Sequence, residues 1–77
     1  MTALPVTRFA VCVVNEGYEA SVQRNKIYAV IEDAEAASDG DVRIVDESGE
    51  DYLYPADWFI LIDVPAIVQQ SVLRVTA

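Results

Sequence analysis

Histidine is absent from this sequence of 77 residues, and cysteine occurs once, as Cys12. A single thiol cannot form an internal disulfide, so the chain gains no stability from an oxidising compartment. Cys12 lies within the apolar run FAVCVV, and we expect it to be a small buried side chain. A reactive thiol needs a neighbouring base or cation, and the usual base here would be histidine. The common pairings of base and nucleophile are therefore missing, and we expect no enzymatic activity.

Basic residues are also scarce: the chain has five of them and thirteen acidic residues, so its formal net charge is −8. They are scattered along the chain, at Arg8, Arg24, Lys26, Arg43 and Arg74. No basic stripe is available to neutralise phosphates, so nucleic-acid binding is disfavoured. Attraction to an anionic membrane surface is disfavoured for the same reason. A protein or peptide partner with a basic surface fits this charge.

Three further absences limit the function. No apolar run approaches the ~20 residues that span a bilayer, and no secretion signal is visible, so we expect a soluble cytoplasmic protein. The acidic segment EDAEAASDGD (32–41) does not have the spacing of a calcium loop, and zinc ligands of the histidine or thiolate type are lacking. The glycines, at positions 17, 40 and 49, stand singly, so no phosphate-binding loop is present. We therefore expect no metal and no cofactor.

What the chain does have is a high apolar content, 53%, within a length that suits one domain covering residues 1–77. Short β-rich segments bounded by turn-forming residues predict five strands. They are RFAVCVVN (8–15), KIYAVIED (26–33), DVRIVDES (41–48), EDYLYP (50–55) and FILIDV (59–64). The second segment has apolar residues on both faces, which is typical of a central strand in a curled sheet.

The connecting segments differ in character. Residues 15–25 form a long polar loop, and residues 34–41 form either a helical turn ended by Gly40 or an open loop. Gly49 favours a hairpin turn with a bulge, and PADW (55–58) fits one tight turn. Pro65 and the valines that follow at helical spacing predict a C-terminal helix at about 65–76, with an extra strand as the alternative.

Five short strands, a long first loop and a one-turn helix before the last strand describe a small closed barrel at about residues 8–64. With its Lys-Ile-Tyr-x-Val strand and its Tyr-Pro-x-x-Trp turn, the chain resembles the Src-homology-3-like (SH3-like) barrels. The resemblance implies an all-β, mainly β fold: a small five-stranded SH3-like barrel with a short C-terminal helix. In peptide-binding members a Pro-x-x-Tyr pair lies on this turn, and Pro55 and Trp58 have the matching spacing here. The Ala-Leu-Tyr-Asp-Tyr run and the paired tryptophans of those members are absent.

The chain also resembles a group of small, uncharacterised bacterial and phage-borne proteins. The likeness covers about residues 9–63 and depends on the phrases GYEAS…KIYxV and DESGEDYLYP. It supports the fold more than a function, since function must be argued from the site itself.

The candidate site is an apolar trough formed by Tyr18 of the long loop together with Tyr54, Pro55 and Trp58. Aromatic rings with a polar tip are common at peptide grooves and interface anchors. Three acidic residues would border the trough and favour a basic ligand: Glu16, Glu19 and Asp57. The alternative is that the rings pack under the long loop and the C-terminal segment and only close a small core.

The leading hypothesis is therefore a non-enzymatic protein–protein interaction module that binds a peptide or a basic protein surface through an aromatic face. One alternative is a self-associating structural protein, a homodimer that pairs through exposed strand edges and the valines of residues 64–75. Another alternative is an acidic inhibitor or immunity-type protein that masks a basic site. The first two differ in oligomeric state, and the third predicts binding that weakens steeply with salt.

Overall fold

The computed structural model describes residues 6–76 and the side chains of residues 8–73. The strands are β1 (Val6–Cys12), β2 (Ile27–Ile31), β3 (Asp41–Val45), β4 (Asp51–Pro55) and β5 (Phe59–Ile62). The helices are α1 (Ala34–Ser38), α2 (Ala66–Thr76) and a 3₁₀ turn (Ala56–Trp58) between β4 and β5. The prediction of a mainly β fold with a short C-terminal helix is confirmed.

All five strands belong to one antiparallel sheet with the order β4-β3-β2-β1-β5. The sheet is not closed, and this corrects the expected closed barrel: within residues 6–76, no ladder joins β4 to β5. The reason is that the 3₁₀ turn carries the chain from β4 to a strand that pairs with β1 instead. The sheet is nevertheless curled. Its two outermost strands come close together, since the rings of Tyr54 on β4 and Phe59 on β5 lie 5.9 Å apart.

The inner face of the sheet forms the main core. Alternate residues of each strand point to this face, and Val22 of the long loop joins them. The cluster contains Ala10, Cys12, Val22, Tyr28, Val30, Ile44, Tyr54 and Phe59. Cys12 is fully buried, as its apolar surroundings predicted.

The outer face carries a second buried layer over the central strands. Phe9 and Ala29 are paired across β1 and β2, and both are buried, as is Ile31. Helix α2 packs against β2 and has Val68 and Val72 partly buried. The prediction that β2 is a central strand covered on both sides is confirmed.

Helix α1 takes the helical-turn alternative for residues 34–41. Asp33 caps its first turn, since one carboxylate oxygen accepts a hydrogen bond of 3.0 Å from the amide of Ala36. Gly40, with φ of +80°, ends the helix in the left-handed region that favours glycine. Arg43 of β3 then pairs with Asp33 at 2.8 Å and with Asp51 of β4 at 2.7 Å, which ties α1 to the sheet.

Candidate functional site

Three rings from two distant parts of the chain meet at the curled sheet, and we call them the aromatic cluster: Tyr18, Tyr54 and Trp58. The centroid of Tyr18 lies 5.8 Å from that of Tyr54 and 5.6 Å from that of Trp58, both in edge-on arrangements. The rings of Tyr54 and Trp58 are 6.4 Å apart. Such contacts are within the range in which aromatic rings attract one another.

The rings of the aromatic cluster are buried to different degrees. Tyr54 belongs to the core with 5% of its surface exposed, and Trp58 packs against that core and is partly buried. Tyr18 lies over both of them and keeps 52% of its surface exposed. Pro55, between the two, is exposed. The cluster therefore has a buried base and one exposed ring, and a binding partner would meet mainly Tyr18, Pro55 and the free part of Trp58.

The turn that follows β4 explains the position of Trp58. Proline cannot donate a ladder hydrogen bond, so β4 ends at Pro55, and its φ of −57° leads directly into the 3₁₀ turn. The carbonyl of Trp58 then accepts a hydrogen bond of 2.8 Å from the amide of Val13. This bond fixes the turn against the first residues of the long loop.

Tyr18 is held by the backbone of its own loop. Its amide donates to the carbonyl of Asn15 at 2.8 Å, and its carbonyl accepts from the amides of Ser21 and Val22 at 2.9 and 3.0 Å. The side chain of Asn15 donates to the carbonyl of Val22 at 3.0 Å, and Val22 is fully buried. These bonds to Tyr18 use its main-chain atoms, so they do not require its side chain.

The three acidic residues predicted to border the site are all exposed. Glu16 and Glu19 flank Tyr18 in the same loop, and Glu19 accepts a hydrogen bond of 3.2 Å from the amide of Gly17. Asp57 lies in the 3₁₀ turn next to Trp58. In the part of the chain that the structure describes, none of the three forms an ion pair.

A shallow depression of about 410 Å³ adjoins the aromatic cluster, between the long loop and the β3–β4 turn. Its lining consists of Tyr18, Ser21, Asp46, Ser48, Tyr52, Leu53 and Tyr54. The amide of Glu47 donates to the carbonyl of Ser21 at 2.9 Å and joins the two walls. The depression thus combines aromatic walls with hydroxyl groups and one carboxylate.

That carboxylate, Asp46, has 3% of its surface exposed and is held by three neutral donors. The hydroxyl of Tyr54 donates to one oxygen at 2.6 Å, and the amide and hydroxyl of Ser48 donate to the other at 2.9 and 2.6 Å. Burial, together with the hydrogen bond to Asp46, raises the pKa of Tyr54 to about 12. Tyr54 therefore remains neutral and keeps donating at physiological pH.

A second group of polar side chains anchors the long loop from its other end. Glu47 accepts hydrogen bonds from the Tyr28 hydroxyl and from Lys26, the latter at 2.6 Å. Burial would raise the pKa of Glu47, but these two bonds outweigh it and the net pKa is lowered. The Tyr28 hydroxyl also accepts from the amide of Gln23 at 2.7 Å. Both donors reach the same carboxylate oxygen of Glu47, Oε2, and the arrangement stabilises the loop.

The sequence pattern missed the residues of the depression that come from the β3–β4 turn. Asp46 and Ser48 were predicted to lie at the end of the strand 41–48, whereas β3 ends at Val45 and both residues lie in the turn that follows. Their approach to Ser21 depends on the docking of one loop on another, which leaves no local signal. Tyr18 and Tyr54, which were predicted to form the trough, do line this depression, and Tyr52 adds a third ring from β4.

No known protein family, curated protein or solved structure matches this chain. Among the described residues, no helix has the length and apolar character needed to cross a membrane. The same residues hold no group of three or more cysteine, histidine or acidic side chains positioned for a metal ion.

Proposed function

We propose that this chain is a non-enzymatic protein-interaction module that binds a peptide or a basic protein surface through the aromatic cluster. We further propose that its fold is an open variant of the SH3-like barrel. Support for the fold comes from five short strands, a long first loop and the 3₁₀ turn before the last strand. Pro55 directly precedes this turn and Trp58 ends it, and these two residues are the pair that the resemblance associates with peptide binding.

The observation that carries the proposal is the position of Tyr18. A tyrosine with 52% of its surface exposed lies edge-on over two partly or fully buried rings, on a loop fixed by its own backbone hydrogen bonds. A preorganised aromatic side chain loses little conformational entropy when a partner covers it. Tyrosine and tryptophan at such positions are the residues that most often dominate binding energy at interfaces.

The charge around the aromatic cluster favours a basic partner. Glu16, Glu19 and Asp57 are exposed beside the rings, while the net charge of the chain is −8. A lysine or arginine of the partner can pair with these carboxylates and lie over an aromatic face. Potentials of opposite sign also steer the two proteins together before contact.

The chemistry of the remaining groups does not favour catalysis. The thiol of Cys12 is buried and donates to the carbonyl of Val14 at 3.2 Å, and burial raises its pKa. A protonated buried thiol is a poor nucleophile. The sequence contains no histidine to activate it.

The proposal is tested with peptides selected from a displayed random library on the purified protein. We expect the selected peptides to combine arginine or lysine with apolar residues. Trp58 is the only tryptophan, so its fluorescence should change on titration with such a peptide and report contact at the site itself. Selection of no peptide, or of peptides without basic residues, would contradict the proposal.

Tyr18→Ala is the variant that decides whether the aromatic cluster is the site. Because the Tyr18 ring is exposed, we expect peptide affinity to fall at least tenfold, while the melting temperature changes little. Trp58→Ala is less suited, since Trp58 packs against the core and its loss lowers stability as well. The matched control is Ile67→Ala on α2, an exposed apolar residue outside the cluster, which should leave affinity unchanged.

The same variants separate this proposal from an acidic inhibitor that acts by charge alone. If charge alone mediates binding, Tyr18→Ala binds as tightly as the wild type, and the triple variant Glu16→Gln, Glu19→Gln, Asp57→Asn loses binding. We expect both variants to lose affinity, because the rings and the carboxylates contact different parts of one ligand. If the triple variant binds as tightly as the wild type, the three acidic residues have no part in binding.

A further inference from the structure

Within residues 6–76, β5 pairs with β1 alone, and this pairing shows which backbone groups of β5 point to the other side. Residues Val11 and Ile60 are paired, as are Phe9 and Ile62. The amide of Val13 donates to the carbonyl of Trp58, so the even-numbered residues direct their N–H and C=O groups toward β1. Because these groups alternate along a strand, those of Phe59, Leu61 and Asp63 point to the free edge.

One of these edge groups already has a partner, since the amide of Phe59 donates to the carbonyl of Ala56. The groups that remain along the edge are the carbonyl of Phe59 and both groups of Leu61 and of Asp63. Among the described residues, none of them takes part in a loop or side-chain hydrogen bond. When a second copy of the same strand runs in the opposite direction, the two groups of Leu61 meet those of the other Leu61, and the amide of Asp63 meets the carbonyl of Phe59. The carbonyl of Asp63 then lies opposite the Phe59 amide, which already has its partner in Ala56.

The side chains of β5 have the matching property. Ile60 on the outer face and Leu61 on the inner face have 54% and 51% of their surfaces exposed. Proteins usually protect an exposed edge with charge, proline or a bulge. The other edge of this sheet has such protection, because β4 begins with Asp51 and ends with Pro55, whereas the sequence of β5 is Phe-Ile-Leu-Ile.

We propose that β5 pairs antiparallel with β5 of a second copy of this chain, about a two-fold axis at Leu61. The two Leu61 residues then exchange two backbone hydrogen bonds, and the amide of each Asp63 donates to the carbonyl of Phe59 in the other copy. On the outer face, Ile60 of each copy lies opposite Ile62 of the other. Both sheets join into one continuous sheet, and the exposed parts of Ile60 and Leu61 become covered.

Charges of both signs lie at this edge, and the net charge of each copy is −8. Arg8 and Asp63 border one depression beside Leu61. A second depression beside Leu61 is bordered by Arg8 and Arg43 and by three acidic residues, Glu32, Asp33 and Asp41. The exposed carboxylates of Glu16, Glu19 and Asp57 lie instead on the long loop and the 3₁₀ turn. A strand of four residues buries less surface than the ~1,200 Å² of standard interfaces, so the dimer is weak and depends on concentration.

Sedimentation equilibrium at physiological salt tests this pairing, with protein concentrations up to about 1 mM. We expect the wild type to form a dimer reversibly as the concentration rises, and Leu61→Lys to remain monomeric. The matched control is Leu53→Lys, since Leu53 is also an apolar residue of an edge strand with 47% of its surface exposed. Because Leu53 lies on β4, the Leu53→Lys variant should form a dimer as stable as that of the wild type.

A crosslink tests the register with a substitution that adds no charge. In a Cys12→Ala background, Leu61→Cys should form a disulfide-linked dimer on mild oxidation, because directly paired residues of this kind have Cα atoms ~5.5 Å apart. Leu53→Cys should not. Circular dichroism shows whether each variant is folded. If Leu61→Lys is unfolded, the crosslinking result alone tests the pairing.

Three results would overturn the inference: a wild type that stays monomeric throughout, a dimer that persists in Leu61→Lys, or equal crosslinking of the two cysteine variants. The inference does not depend on the proposed function, because Tyr18→Ala should leave the dimer intact.

Discussion

At the scale of single residues, Tyr54 links the core to the depression beside Tyr18 through its hydroxyl. We expect Tyr54→Phe to lower the free energy of unfolding by about 1–3 kcal/mol, because the buried carboxylate of Asp46 loses a donor that water cannot replace. Urea denaturation at pH 7 measures the change. Tyr52→Phe is the control, since the Tyr52 hydroxyl makes an exposed contact of 3.4 Å with Glu50, and it should change stability little. Equal losses in both variants would contradict this role of Asp46.

The raised pKa of Tyr54 leads us to expect a loss of stability at alkaline pH. Burial and Asp46 raise the pKa of Tyr54 from 10.0 to about 12, and burial followed by Glu47 raises that of Tyr28. Between pH 10 and 12 the unfolded chain loses these protons while the folded chain keeps them, so the folded state becomes less favourable as pH rises. We expect the melting temperature to fall steeply over this range. The decrease should be smaller in Tyr54→Phe, and an identical profile in both proteins would exclude Tyr54 as a cause.

At the scale of the elements, the connection between α1 and β3 depends on Gly40. Its φ of +80° lies in the left-handed region, and no atom lies within 4 Å of the position that a Cβ would take. We therefore expect Gly40→Ala to cost about 1–2 kcal/mol from backbone strain alone. Gly40→Asn should cost less, because asparagine tolerates this conformation better than alanine. Comparison of the two variants by urea denaturation tests the assignment, and a larger loss in the asparagine variant would contradict it.

The local pattern predicted the five strands and favoured the C-terminal helix, but it left residues 34–41 open between a helical turn and a loop and did not determine how the elements meet. Apolar residues on both faces of KIYAVIED correctly identified β2 as central, and Pro65 with its following valines correctly indicated α2. The predicted closure of the sheet was wrong, since closure requires β4 to pair with β5. Such pairing depends on long-range geometry after Pro55, and no periodicity in either strand encodes it.

At the scale of the whole molecule, the sequence predicted part of the candidate site for a physical reason. Pro55 and Trp58 are three residues apart in one turn, so their proximity follows from local geometry. The contacts of Tyr18 with Tyr54 and Trp58, and the approach of Asp46 to Ser21, join segments distant in the chain. They depend on how the long loop folds back over the sheet, which is determined by the buried side chain of Val22 and by backbone hydrogen bonds.

The charge of the whole molecule gives the last prediction, in which stability and binding respond to salt in opposite directions. In the described part of the chain, three of the thirteen acidic side chains are in ion pairs, those of Asp33, Glu47 and Asp51. The others repel one another around a molecule with a radius of gyration of 11.5 Å, and salt screens this repulsion over a Debye length of ~8 Å at physiological ionic strength. We therefore expect the melting temperature to rise when salt is increased from low to physiological concentration. Affinity for a basic peptide should fall over the same range, because the attraction between the protein and the peptide is screened.

If the melting temperature fell instead, the three ion pairs would outweigh the repulsion, and variants such as Arg43→Gln would then lower stability strongly. If peptide affinity did not change with salt, the acidic residues around Tyr18 would have no part in binding, whatever the contribution of the rings.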